Sequence, residues 1–263
     1  MKNYKKIEAV IFDLSGTLVD FGSLATIEAM KKIFKNKGVI IDNNTIKKDM
    51  GIKKIKHLKK ILNYPIVKAK WKNIFGIKIS TTQINELNKN FDNELKAEVK
   101  KKLNIIPNVK NLFKILKKNN IKIGATTGYP KKITKIIIDY LHKNKVYIDY
   151  YVSDDEVKNS RPSPDMCIKN IKKLKVSAKN SMKVDDSVAG IVEGNRAGMI
   201  SVALTLTGIN LGKNLKTFRI LSNKNKNKII LSSKKIFKKV NAKYIINDHF
   251  EFEKLLKEQF KIF

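Results

Sequence analysis

Two rhythms of apolar residues alternate along this chain. Residues 7–12, Ile-Glu-Ala-Val-Ile-Phe, form a short and mostly apolar run and predict a buried strand. From 23 to 37 the spacing changes: Leu24, Ile27, Met30, Ile33 and Phe34 recur at helical intervals, and Gly38 is placed to end the helix. From there to about residue 103 the pattern stays helical and offers no convincing strand. After Pro107 strands return. Val109, Leu112, Phe113 and Leu116 make one helical stripe, and "IKIGATTGYP" reads as a strand and a turn. Residues 133–141 are helical, "VYIDYYVSDD" holds a short strand, and a helix over 164–174 leads to a strand around "SMKVDD". "VAGIVEGNRAGM" is a helix closed by Gly198 and "ISVAL" is another strand; "KYIIND" and "HFEFEKLLKEQF" supply a last strand and helix.

This alternation predicts an α/β fold whose parallel sheet is covered on both faces. The helical stretch between the first strand and the next helix-strand unit reads as an insertion. The expected organisation is therefore an α/β core of residues 1–21 and 105–263 with a helical cap of residues 22–104. The Lys- and Asn-rich segment 222–243 reads as a solvated loop and helix, not a domain boundary.

Composition narrows the setting. The chain has 263 residues, and with 42% of them hydrophobic it has ample material for a core. No apolar run approaches a membrane span, and the basic start lacks the apolar stretch of a signal peptide, so a cytoplasmic protein is expected. The single cysteine, Cys167, excludes an internal disulfide and a cysteine-based zinc site. The formal net charge of +33 invites a nucleic-acid reading. However, the excess is almost all lysine spread along the chain; only Arg161, Arg196 and Arg219 are arginine, the residue preferred for bidentate phosphate and base contacts. Solvated surface is the reading adopted, with no specific nucleic-acid partner and no membrane.

Ligands of an open parallel sheet collect beyond the carboxyl ends of its strands. Four turns fall there: Asp13-Leu14-Ser15-Gly16-Thr17, Thr126-Thr127-Gly128-Tyr129, Ser160-Arg161-Pro162 and Asp185-Asp186-Ser187. Asp13 is placed as a nucleophile, with Gly16 allowing a tight turn. Thr127 and Gly128 offer a hydroxyl and free N–H groups to an anion. Arg161 can balance a phosphoryl charge. Asp13 and Asp186 can hold Mg²⁺, which favours hard oxygen ligands. Singly, each turn has an ordinary explanation as a cap or surface residue; their order on successive strand ends is harder to set aside.

The four turns resemble the motifs of the haloacid dehalogenase (HAD) superfamily, a Rossmann-like fold with an aspartate nucleophile, and within it the chain most resembles the phosphonoacetaldehyde hydrolases, or phosphonatases. The most telling segment is "MGIKKIKH", residues 50–57. Phosphonatases carry Met-Gly-x-x-Lys-x-x-His there, and the resemblance makes Lys54 the Schiff-base lysine and His57 a proton shuttle. It also implies Mg²⁺ on Asp13, the Ser15 carbonyl and Asp186, phosphoryl contacts from Thr127, Gly128 and Arg161, closure of Tyr129 over the site, a small phosphonate as substrate, and a homodimer formed through the cap.

Ser15 stands where phosphate-ester hydrolases of this type carry a second aspartate as general acid. Breaking a carbon–phosphorus bond calls for an electron sink instead of an acid, and an iminium on Lys54 supplies one. For this Lys54 must be partly neutral near pH 7, and Lys53, Lys56 and His57 are the neighbours expected to lower its pKa. The fourth motif departs from the family's Gly-Asp-x-x-x-Asp: this chain reads Asp185-Asp186-Ser187-Val188-Ala189-Gly190. That leaves two alternatives standing beside phosphonatase, a HAD-type phosphate-ester phosphatase and a degenerate non-catalytic protein that binds anions.

Overall fold

The computed structural model describes residues 6–76 and 78–263. Among them, six strands build one sheet: β1 (Ala9–Phe12), β2 (Lys122–Thr127), β3 (Tyr150–Ser153), β4 (Ser181–Asp185), β5 (Ile200–Leu204) and β6 (Tyr244–Ile246). Their order is β3-β2-β1-β4-β5-β6 and every pairing is parallel. This is the doubly wound order in which the winding reverses beside β1. β1 is bracketed by β2, Ala9 opposite Lys122, and by β4, Phe12 opposite Val184. The crevice beyond β1 and β4 is thus where the topology itself opens a binding site.

Helices follow the strands. α1 (Leu24–Lys35), α2 (Asn43–Lys47), α3 (Lys54–Asn63), α4 (Pro65–Phe75) and α5 (Thr81–Lys102) lie between β1 and α6 (Val109–Lys118). Then come α7 (Lys131–Lys143), α8 (Asp165–Leu174), α9 (Val188–Arg196), α10 (Gly208–Leu211), α11 (Leu215–Arg219), α12 (Asn223–Lys239) and α13 (His249–Phe260). The short α10 and α11 carry no apolar period long enough to be seen in the sequence, and the run read as a strand from residue 7 is paired as strand only from Ala9.

The two-residue period of β1 shows how the layers are filled. Phe12 stacks on Phe113 of α6 at 5.3 Å and meets Phe252 of α13 edge-on at 6.2 Å. Ala9 and Ile11 point the other way, to Cys167 and Ile171 of α8. Both faces of the strand are buried, which explains its unbroken apolar run. In the helical segment α1 packs along α5, burying Ile27, Met30 and Phe34 of one and Leu87, Phe91 and Leu95 of the other. Lys32 reaches from α1 to Glu98 at 2.6 Å and Glu94 at 3.3 Å, tying the pair at its rim.

Candidate active site

The chain leaves β1 through Asp13 and turns sharply. The turn requires Gly16, whose φ of +94° lies where side chains are strained. A Cβ there would also fall 2.2 Å from Ser23 Oγ and 2.6 Å from Asp186 Oδ2. Ser23 Oγ donates to the Ser15 carbonyl at 2.9 Å and lies 3.3 Å from Asp186 Oδ2. Asp186 further accepts from Thr17 Oγ1 at 3.1 Å and from the Ile209 N–H at 2.8 Å. The loop after β1 and the loop after β4 are therefore locked together through one carboxylate.

Arg161 does more than face an anion. It is buried, and its guanidinium touches Asp13 at 2.9 Å, Glu193 at 2.8 Å and Asp185 at 3.3 Å while donating to Thr126 O at 3.0 Å and Oγ1 at 2.9 Å. Lys183, from the middle of β4, has no exposed surface and stands 2.9 Å from Asp185 and 2.8 Å from Thr126 Oγ1. Buried charge is costly unless paired. Here four carboxyl groups, Asp13, Asp185, Asp186 and Glu193, face two cations. Burial, and then Asp185 beside it, push the Asp13 carboxyl up to about 6, against the pull of Arg161 and Lys183. Asp186 is raised well above the carboxylate range by burial and by Asp13 and Asp185. Asp185 goes down, because Lys183 and Arg161 outweigh its burial.

Oxygens of Asp13, Asp185 and Asp186 lie within 4.8 Å of one another. An all-oxygen donor set with two formal negative charges in excess suits a divalent cation, which would relieve the repulsion that raises Asp13 and Asp186. The Ser15 carbonyl, bridged to Asp186 by Ser23, belongs to the same cluster.

All nine residues singled out in the sequence line one cavity. The core loops supply Asp13, Ser15, Thr127, Gly128, Tyr129, Arg161 and Asp186; α3 supplies Lys54 and His57. Gly128 faces the loop before α3: a Cβ there would sit 3.6 Å from the Gly51 carbonyl and 3.7 Å from that of Ile52, in ordinary contact. Tyr129 is buried, with its hydroxyl 2.9 Å from Thr26 Oγ1, and burial raises its pKa.

Lys54 is the first residue of α3, and its side chain is 12% exposed. Its ammonium lies 5.1 Å from the centre of the Phe91 ring and 5.8 Å from that of Tyr129, and 2.9 Å from Asp92 Oδ1. Burial lowers its pKa, and Asp92 opposes the shift. The expected direction holds, but its cause differs. Lys53 turns to Asp154 at 3.8 Å, Lys56 is exposed, and desolvation by burial does what neighbouring charge was expected to do. His57 is buried, donates Nε2–H to the Ile46 carbonyl at 2.8 Å, and has its pKa lowered by that burial. Its Nδ1 is therefore the nitrogen left for proton exchange.

Four participants were not foreseen. Lys183 had a signal, a cation in the middle of a strand buried on both faces. Glu193 had a weaker one, a lone acid among the small and apolar residues of α9. Asp92, on a helix crowded with polar residues, had none. Nor had His249, which lies under the loop after β1 and donates Nε2–H to the Thr17 carbonyl at 2.5 Å.

Comparison with known proteins places this arrangement. Residues 10–204 match the haloacid dehalogenase-like hydrolases. The phosphonoacetaldehyde hydrolase of Bacillus cytotoxicus is 35% identical over 208 residues, 79% of this chain and 79% of that protein. A bifunctional phosphonoacetaldehyde hydrolase/aminoethylphosphonate transaminase of Clostridioides difficile is 34% identical over 96% of this chain, which spans 40% of that longer protein. Among solved structures, a phosphonoacetaldehyde hydrolase-like protein from Oleispira antarctica superposes with a TM-score of 0.93 at 27% identity, covering 97% of this chain and 93% of that one. A β-phosphoglucomutase from Clostridium difficile, with a TM-score of 0.69 and 22% identity over 97% of both chains, shares the fold. The chain belongs to the haloacid dehalogenase-like hydrolases and, within them, to the family of the phosphonoacetaldehyde hydrolases.

Proposed function

We propose that this protein hydrolyses the carbon–phosphorus bond of phosphonoacetaldehyde, giving acetaldehyde and phosphate. One observation carries the reading: a desolvated lysine, Lys54, shares a cavity with the buried carboxylate Asp13, and Ser15 stands where an ester-cleaving relative would keep its acid. The names of the relatives point to the same substrate.

The neutral amine of Lys54 adds to the aldehyde carbon and loses water to leave an iminium, with His57 Nδ1 as the proton carrier. Asp13 attacks phosphorus in line. The carbon–phosphorus bond breaks, and its electron pair moves into the adjoining carbon–carbon bond to form an enamine, discharging the iminium nitrogen. Protonation at carbon and hydrolysis release acetaldehyde and return Lys54 to the amine. A second water cleaves the aspartyl phosphate, so one water is consumed overall. Thr127, Gly128 and Arg161 steady the phosphoryl oxygens, and Tyr129 shields them from solvent. Arg161, fixed by Glu193 and Asp185, also aims the Asp13 carboxylate. Mg²⁺ on Asp13, Asp186 and the Ser15 carbonyl would neutralise charge between the nucleophile and the incoming phosphonate.

In this reading residues 22–104 act as a cap that brings Lys54 to a core of residues 1–21 and 105–263. Exposed Ile40, Ile66 and Ile74 on that segment give apolar surface for a homodimer formed through it. Among the described residues no helix is long and apolar enough to cross a membrane.

The test is acetaldehyde release with Mg²⁺ from wild type, Lys54→Ala and Lys54→Arg, with borohydride added to trap the iminium. Wild type should release acetaldehyde and lose activity to borohydride only when substrate is present, gaining the mass of the reduced adduct on Lys54. Both variants should lose roughly a thousandfold or more. Equal release by Lys54→Ala would remove the amine from the mechanism.

A further inference from the structure

The loop after β4 departs from the family pattern at positions 185 and 190, and the geometry makes the two departures one. Gly190 lies in the first turn of α9, a place where glycine is among the poorest choices. Its backbone torsion does not ask for glycine, because φ there is not positive. Space does. A Cβ on residue 190 would stand 1.9 Å from Asp185 Oδ2, 2.1 Å from its Cγ and 2.5 Å from Oδ1. The carboxyl group of Asp185 fills the volume in which a side chain at 190 would begin.

That carboxyl group is held through both oxygens, one by charge and one by hydrogen bonds. One oxygen ion-pairs with Lys183 at 2.9 Å and Arg161 at 3.3 Å. The other accepts from Ser187 N–H at 2.9 Å and Ser187 Oγ at 2.7 Å, and that hydroxyl in turn accepts from the Gly190 N–H at 3.0 Å. Removing it would leave two buried cations short of an anion.

We propose that Asp185 and Gly190 are a reciprocal exchange. The acid that the family pattern carries on the first turn of α9 is here delivered from the end of β4 into the same volume, and Gly190 is what makes room for it. The loop keeps its charge, and the fourth motif is rearranged, not decayed. Asp185 is then a positioning residue: it holds the Arg161 guanidinium that contacts Asp13, and it orders Ser187 at the start of α9. The exchange rests on the reading of this crevice as a phosphoryl-transfer site only for its activity readout.

Four proteins test it: wild type, Asp185→Gly, Gly190→Asp, and the double variant that restores the family order. The unfolding midpoint in EDTA, its rise on adding Mg²⁺, and phosphate release from phosphonoacetaldehyde are measured for each. Each single variant should lose about 4 °C or more in EDTA. Gly190→Asp forces two carboxylates into one volume, and Asp185→Gly strands Lys183 and Arg161. The double variant should regain most of the midpoint and of the Mg²⁺ response. A second pair uses no charge at 190: Gly190→Ala should lower the midpoint beside Asp185 but raise it in the Asp185→Gly background, where the space is open. Additive losses in the double variant, a double variant that does not fold, or the same sign for Gly190→Ala in both backgrounds would overturn the exchange. Recovery of the midpoint with no phosphate release from any of the four proteins would support it and count against the substrate reading instead.

Discussion

At the scale of single residues, the site works by setting burial against charge. Lys54 owes its lowered pKa to burial, and Asp92, half exposed on α5, pulls the other way. An amine must be neutral to add to an aldehyde, so under the proposed Schiff-base mechanism the acidic limb of kcat/KM should follow the Lys54 titration. Replacing Asp92 by Asn removes a group that favours the ammonium. The Lys54 pKa should fall further, and the acidic limb should move to lower pH, so that activity at pH 6 rises relative to activity at pH 9. A pH–rate profile of Asp92→Asn against wild type decides it. A limb that moves to higher pH, or stays fixed while kcat falls, would mean that Asp92 positions the amine and does not set its charge. Because Asp92 faces solvent, the effect is softened by screening.

At the scale of elements, the proposed role of Lys54 depends on how the loop before α3 is pressed onto the core. Gly51 has a φ of +95°, and a Cβ on it would lie 2.9 Å from Ser187 Cβ and Oγ. Alanine there costs about 1–2 kcal/mol for the left-handed backbone alone, and the contact pushes the loop off Ser187, carrying Lys54 with it. Gly51→Ala should lower kcat/KM by roughly a hundredfold, the penalty of misplacing a reacting group by about 1 Å. Gly38→Ala shares the backbone strain, with its nearest neighbour 3.6 Å away, and should lower the midpoint with no effect on rate. If the two variants lose equal activity, the approach of this loop is not what positions the amine. Such packing also marks what the sequence could and could not tell. The strands and long helices were legible because β1, α6 and α13 repeat apolar residues at the period their neighbours demand. The turns at Asp13, Thr127, Arg161 and Asp186 were legible because parallel strands end where ligands gather. Asp92 and His249 were not, since an acid on a polar helix and a histidine packed beside Phe12 acquire their meaning only across long separations in sequence. Nor could the sequence say that residue 190 lacks a side chain because Asp185 occupies its space.

At the scale of the whole molecule, the opposition is between a lysine-rich surface and an acid-rich crevice. Lysine and arginine number 56 against 23 acids, while in the buried cluster behind the cavity the carboxyl groups of Asp13, Asp185, Asp186 and Glu193 face Arg161 and Lys183. Helix α12 shows the surface side of this. Lys224 and Lys228, Lys234 and Lys238, and Lys235 and Lys239 are like-charged pairs at i,i+4, a spacing that destabilises a helix. Such repulsion acts over the Debye length, about 10 Å at 0.1 M salt, and is screened as salt is added. Between about 20 and about 300 mM KCl the unfolding midpoint should therefore rise by several degrees, the reverse of what a surface held by ion pairs would do. The same positive field concentrates anions near the protein. Capture of a phosphonate should weaken over that salt range, lowering kcat/KM severalfold, while kcat, set inside the buried crevice, stays nearly constant. Thermal unfolding and steady-state rates measured on one KCl series test both sides of the argument together. A midpoint that falls with salt would show that ion pairs such as Lys32–Glu98 outweigh the net repulsion, and a kcat that falls in step with kcat/KM would place the salt effect at the chemical centre, not at the surface.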